Sequence, residues 1–267
     1  MKGNIITVPI HKMETGLSGS SSGVAAQDLV AVEEPLQIRL GDRDFAVTMR
    51  TPGQDRELAA GFLFTEGVIQ NPHQITGITT DDRGSVTVEL APGVEVDFAT
   101  RNFYMTSSCG VCGKASIDGL RAAHCGSPPR GVPQIQASLI PALPDKLRQA
   151  QPVFGHTGGL HGAGLFDVSG QLLAVREDVG RHNAVDKLVG AMFLEGKTPL
   201  HDKLLMLSGR ISFELVQKAL MAGIPIIAAV GAPSSLAIET ALHFGMTLIG
   251  FLRGQRYNVY SGADRLR

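Results

Sequence analysis

Ile224-Pro225-Ile226-Ile227-Ala228-Ala229-Val230-Gly231-Ala232-Pro233-Ser234-Ser235 decides the fold class. Residues 226–230 are apolar without a break, so this strand has no polar face to offer water and reads as a central strand covered on both sides. The small residues after it turn the chain, and Ser234 is the type of residue that opens a helix, here 234–244. The same unit repeats outward in both directions. Upstream come a strand at 203–207, the loop Ser208-Gly209-Arg210 and a helix at 212–221; downstream a strand runs over 246–252. Before these, strands at 160–167 and 171–177 turn through Val168-Ser169-Gly170, and a helix covers 181–194. Strands alternating with helices predict an α/β fold with a largely parallel sheet.

The first half is patterned differently. Leu36-Gln37-Ile38-Arg39-Leu40 and Phe45-Ala46-Val47-Thr48-Met49 alternate apolar and polar residues, the period of a half-buried hairpin. Asp55 is placed to cap a helix whose stripe is Leu58, Ala59, Phe62 and Leu63. Residues 86–90 and 94–98 suggest a second hairpin across Ala91-Pro92-Gly93. Residues 116–124 and 141–150 read as helices. The expected organisation is a flexible tail over 1–34, a small α+β domain over 35–130, and an α/β domain over 131–267. The tail is expected because 16–23 is almost all Gly and Ser.

In an open α/β sheet, ligands bind beyond the carboxyl ends of the strands. Three loops fall there: 176–183, 208–210 and 231–235. Each opens a helix, whose first turn has free N–H groups and partial positive charge. Arg210 is the best phosphate candidate, because a guanidinium fork matches two phosphate oxygens. The bland alternative is that Ser208, Ser212, Ser234 and Ser235 are helix caps. Arg176 to Lys187 is dense in polar groups, which also fits a solvated, salt-bridged helix start. His161 is more readily structural than catalytic. Arg253 and Arg256 follow the last predicted strand and reach the same edge or are plain surface residues.

Tyr104-Met105-Thr106-Ser107-Ser108-Cys109-Gly110-Val111-Cys112-Gly113-Lys114 carries the chemistry. Its two thiols are spaced C-x-x-C among small and hydroxylated residues, and Lys114 can favour a thiolate. The spacing alone fits a redox or sulfur-handling pair. It equally fits half of a zinc site completed by His124 and Cys125, or an inert pair.

Composition bounds the rest. A net charge of −1 over 267 residues predicts no broad attraction to nucleic acid or an anionic membrane. Three cysteines make no disulfide framework, and with no leader-like apolar segment they point to the cytoplasm.

Five segments taken together resemble the FdhD family of sulfurtransferases required for formate dehydrogenase activity. They are 106–114, Thr157-Gly158-Gly159-Leu160-His161, 176–187, 208–210 and 250–260. The resemblance implies a cytidine-deaminase-like α/β domain beside a smaller α+β domain. It implies Cys109 and Cys112 as the catalytic pair, with Cys109 carrying a persulfide received from a cysteine desulfurase. The sulfur acceptor would be the molybdenum cofactor, bis-molybdopterin guanine dinucleotide, bound as substrate before it enters formate dehydrogenase. Phe251, Leu252, Arg253, Gly254, Gln255 and Arg256 match the family's cofactor-binding segment, and Ser208, Gly209 and Arg210 would join them. A homodimer without a resident metal is also implied. Deaminase chemistry is not, because His161-Gly162-Ala163 lacks the glutamate of an H-x-E motif. The alternatives are a zinc-stabilised nucleotide-cofactor chaperone and a thiol–disulfide oxidoreductase.

Overall fold

A computed structural model of the chain describes residues 3–15, 21–96, 103–104 and 127–267. Cys109, Cys112, Lys114, His124, Cys125 and the helix expected at 116–124 lie outside the described residues.

The first half begins with two strands, β1 (Ile5–Thr15) and β2 (Ser21–Ala31), paired antiparallel from Ile5↔Ala31 to Thr15↔Ser21. This corrects the flexible tail expected over 1–34. β1 is rich in Ile, Val and Thr, residues that suit a pleated backbone, and β2 pairs with it along its whole length. A five-stranded sheet follows, in the order β5-β6-β3-β4-β7. Its strands are β3 (Glu34–Leu40), β4 (Arg43–Arg50), β5 (Ile75–Thr80), β6 (Ser85–Leu90) and β7 (Phe103–Tyr104). The β3–β4 hairpin is as its alternation predicts. The second hairpin is not: β6 pairs with β5 upstream, and 94–96 form no strand. A segment of only 6 residues interrupted by Gly77 gives a weak period-2 signal, which is why β5 was not expected.

Helix α1 (Asp55–Thr65) packs on this sheet through Leu58, Phe62 and Leu63. Asp55 does not cap it. Its carboxylate takes two hydrogen bonds from Arg50 instead, at 2.9 and 3.0 Å.

The second half holds a six-stranded sheet, ordered β13-β12-β11-β10-β8-β9. In chain order the elements are α2 (Leu143–Gln149), α3 (Pro152–Thr157), β8 (His161–Phe166), β9 (Leu172–Asp178), α4 (Arg181–Leu194), β10 (Leu204–Leu207), α5 (Phe213–Met221), β11 (Ile226–Ala229), α6 (Ser235–His243), β12 (Thr247–Arg253) and β13 (Arg256–Ser261). Only β10–β11 and β11–β12 pair parallel; β8–β9, β8–β10 and β12–β13 are antiparallel. The sheet is therefore mixed rather than largely parallel. Local alternation reveals that strands exist, but the direction of a pairing is set by connections, and β13 followed too closely on β12 to be read separately.

Both faces of this sheet are buried, as the unbroken run at 226–230 predicts. Leu205, Leu207, Ile227, Ala229 and Leu248 face α4, α5 and α6. Leu204, Met206, Ile226, Ala228 and Ile249 face Ile140, Leu143 and Leu147, from the short 3-10 turn Ala137–Ala142 and α2. The first of these clusters continues without interruption into Leu36, Ile38, Leu58, Leu63 and Val88 of the first half. The two sheets are separate but share one apolar core.

The joint is the contact of α1 with α4. A Cβ on Gly61 would lie 1.8 Å from the Asp186 carbonyl oxygen, and one on Gly190 would lie 1.9 Å from the Glu57 carbonyl oxygen. The two backbones touch at these glycines. Ordinary helix propensity favours alanine over glycine by about 1 kcal/mol, but here a methyl would meet rigid backbone, and overpacking costs about 1–3 kcal/mol or more. We predict that Gly61→Ala and Gly190→Ala each lower the urea midpoint, by the equivalent of at least about 2 kcal/mol. Gly155→Ala, whose Cβ meets nothing within 4 Å, should be neutral or slightly stabilising in the same measurement.

Candidate functional site

β10, β11 and β12 run parallel, β8 runs against β10, and β9 against β8, so β9 points the same way as the central strands. One sheet edge therefore gathers the start of β8, the ends of β9, β10, β11 and β12, and the start of β13. His161, residues 179–183, 208–210, 231–235 and 253–256 all lie there. Backbone hydrogen bonds sew these segments together. Ser208 N–H donates to Gly162 O at 3.0 Å, Gly231 N–H to Gly209 O at 2.9 Å, and Phe251 N–H to Gly231 O at 3.0 Å. Gly231 must be glycine for this, since a Cβ would lie 2.7 Å from Gly209 O.

The polar motif 176–187 is neither a solvated helix start nor wholly a ligand site. Most of it is a buried clamp on the first half. Asp178 accepts hydrogen bonds from the N–H groups of Thr51 and Gly180, at 3.1 and 2.8 Å, and pairs with Lys187 at 2.7 Å. Lys187 also donates to Thr51 O at 2.8 Å. Asn183 donates to Met49 O at 2.7 Å and accepts from Thr48 Oγ1 at 3.1 Å. One turn further on, Asp186 pairs with Lys218 of α5 at 2.9 Å, and Lys218 also reaches Thr65 and Glu66 at the end of α1, at 3.0 and 3.2 Å. Glu177 accepts from the N–H groups of Val153 and Phe154 and so caps α3.

What the clamp leaves at the edge is cationic. Burial lowers the His161 imidazole below its ordinary pKa; Arg181 and Arg210 add to this and Asp178 opposes it. Arg181 Nε is buried without a hydrogen-bond partner among the described residues. An imidazole under the influence of two guanidinium groups makes this a donor-rich surface suited to an anion. His182 lies one layer deeper, its Nε2 at 3.1 Å from Ser212 Oγ. Burial pushes its pKa down to about 4, helped by Lys218 and Arg181 and opposed by Glu214.

The expected site residues divide accordingly. Arg210, Phe251, Arg253, Gly254, Gln255 and Arg256 are exposed at this edge. Arg253 and Arg256 face each other in the β12–β13 register. The strand of Arg253, β12, is two places from β10, whose following loop carries Arg210. Leu252 is only 1% exposed and packs in the second core, so it offers the edge its backbone alone. Ser208 does not cap a helix; its hydroxyl accepts the Gly162 N–H at 2.8 Å. Ser234 is a true cap, accepting from Ala237 N–H at 3.2 Å. Phe251 is left-handed, with φ 52° and its ring exposed. A bulky residue in that region stores strain of about 1–3 kcal/mol. Arg181 and His182 were visible only as part of a charged run; their separation from the clamp residues needs the helical register of α4.

A mixed α/β protein with a cationic edge on its larger sheet is the class this geometry defines. The FdhD/NarQ family model matches residues 31–267, and the chain belongs to that family. It is 52% identical to the sulfur carrier protein FdhD of Streptomyces coelicolor, covering 90% of this chain and 89% of that one. It is 43% identical to the protein of the same name from Sulfolobus acidocaldarius, covering 97% of each. Among solved structures it is similar to a candidate formate dehydrogenase accessory protein from Desulfotalea psychrophila, with TM-score 0.78, 27% identity and coverage of 98% and 99%.

The buried His182 makes a pH prediction. Unfolded, its imidazole titrates near 6.5; folded, near 4. Between these values only the unfolded chain binds the proton, so falling pH costs stability. Asp186, raised by burial from 3.8 to about 6, acts in the opposite direction over nearly the same window. The overall profile should thus be shallow. The difference between wild type and His182→Gln isolates the histidine: wild type should lose stability relative to the variant as pH falls from about 6.5 to about 4 in urea titrations.

Proposed function

We propose that this chain is a sulfur carrier that supplies sulfur to the molybdenum cofactor of formate dehydrogenase. The observation that carries the reading is the match over 31–267 to a family whose members are named sulfur carriers, with Cys109 and Cys112 inside the matched span. The fold adds support. β7 runs parallel to β4, in the register Ala46↔Phe103 and Val47↔Tyr104. The carboxyl end of β4 is the part clamped beside Asp178, so β7, ending at Tyr104, runs in the same direction as β4 toward that clamp. Cys109 is five residues further on, a span of at most about 18 Å.

Acceptance begins at a persulfide of a cysteine desulfurase. The Cys109 thiolate attacks the outer sulfur, a new S–S bond forms on Cys109, the donor's S–S bond breaks and its cysteine leaves as a thiolate. Nothing is oxidised overall. Delivery follows when the Cys112 thiolate attacks the inner sulfur. This forms a Cys109–Cys112 disulfide and releases the outer sulfur as hydrosulfide to the cofactor; a dithiol then reduces the disulfide. The substrate is bis-molybdopterin guanine dinucleotide, whose phosphates would meet Arg210, Arg253 and Arg256, with Ser208, Gly209 and 251–256 around them. The protein acts as a homodimer in the cytoplasm. No helix among the described residues is long and apolar enough to cross a membrane.

Intact-mass analysis after incubation with a desulfurase and cysteine tests the assignment of the thiols. Wild type and Cys112→Ala should gain sulfur, and Cys109→Ala should not. Cys112→Ala should load but activate formate dehydrogenase poorly, while Cys125→Ala should do both. Zinc retained by wild type and lost, together with stability, in all three variants would instead favour a structural metal site.

The anion edge is tested separately. Calorimetry with a guanine nucleotide should show affinity reduced about ten- to a hundredfold in Arg210→Ala and in Arg256→Ala, the cost of a lost charged hydrogen bond. Unchanged affinity in both would remove these arginines from the site.

A further inference from the structure

The β1–β2 ribbon stands apart from both sheets. At its base, Val32 N–H donates to Asn4 O, and its principal contact with another element is between β2 and α3. A two-stranded ribbon alone is marginal in water. Opposed residues share a face, so the register places Ile6, Val8, Ile10, Val24, Ala26 and Val30 on one side. Ile6 is 52% exposed, Val24 66% and Val30 40%. Such a strip is costly to leave wet.

We infer that the ribbon is an arm whose apolar face covers a second copy of this chain, reciprocally about a two-fold axis. Area decides between a copy and a different protein. Each strand has 11 residues. At about 3.3 Å per residue the ribbon is about 36 Å long and, with side chains, about 10 Å wide. One face docked on a partner buries about 700 Å² in total, below the roughly 1,200 Å² of a stable specific interface. A two-fold axis uses the contact twice and reaches about 1,400 Å². Charge agrees. The same face carries Lys12, Glu14 and Asp28, both signs together, which suits a like surface better than an anionic one. This names the surface of the dimer already proposed and uses none of the sulfur chemistry, so either reading can fail alone.

The test is sedimentation of the full chain over a concentration series, with hydrogen–deuterium exchange over 5–15 and 21–31. Wild type should be a dimer at tens of micromolar with a protected ribbon, and dilution should release both together. The double variant Ile6→Glu, Val24→Glu should be monomeric with an unchanged melting temperature at low concentration, which excludes misfolding. A wild type that stays monomeric, a variant that still dimerises, or a dimer with freely exchanging ribbon amides would each overturn the inference. So would protection that arises only on adding a desulfurase.

Discussion

The structure depends on two helices that touch backbone to backbone. At Gly61 and Gly190 neither α1 nor α4 carries a side chain, and each glycine sits against a carbonyl of the other helix. The close approach has two consequences. It fuses the apolar faces of two separate sheets into one core, running from Leu36 and Val88 through Leu188 to Ile227 and Leu248. It also brings the end of α1 within reach of α4 and α5, so that Thr65, Glu66, Asp186 and Lys218 meet in a space closed to water. Larger residues at either glycine would separate the helices and open both.

The buried charges at this joint are better read as a specification of geometry than as a source of stability. Removing two ions from water costs several kcal/mol each, and a buried pair rarely does more than recover that. The arrangement is one-sided, however: losing one partner strands the other and costs about 3–5 kcal/mol. Asp178 illustrates this. It is fully buried and holds Thr51, Gly180, Asn183 and Lys187 at once. A misdocked first half would leave that carboxylate unsatisfied, so the wrong arrangements are penalised more than the right one is rewarded. Apolar contact alone would tolerate sliding; hydrogen bonds with fixed directions do not.

This also explains what could be read from the chain and what could not. Ile226 to Ala229 announced a doubly covered strand because burial on both faces removes every polar residue, a property of one segment. Helix 181–194 and the β3–β4 hairpin were legible for the same local reason. Strand direction, the pairing of β6 with β5 and the role of Asp178 involve partners far apart in sequence, and no local pattern carries them. The cationic edge was legible in part. Arg210, Arg253 and Arg256 were expected at one edge because topology puts them there, whereas Leu252 shows that a segment match does not say which side chains turn inward. The most polar motif was read as ligand-facing or solvated, and both were wrong for Asp178, Asn183, Asp186 and Lys187. Charge density marks a place where burial is contested, and only the fold shows whether a ligand or another part of the chain satisfies it.

The clamp and the edge are two uses of one loop. Residues 178–187 place Asp178, Asn183 and Lys187 inward on the first half, while Arg181 and His182, at intervening positions on the first turn of α4, remain beside His161 and Arg210. A helix turning about 100° per residue separates such roles over a few positions. The loop that positions the cationic groups thus also fixes the end of β4, and β4 carries β7. Geometry at the cationic edge and the placement of β4 and β7 are therefore not independent. A shift of Asp178 that re-aimed Arg181 would also move Thr51 and the end of β4. Coupling of this kind lets one docking interface set both the cationic edge of the larger sheet and the end of the strand order in the smaller one, without any direct contact between them.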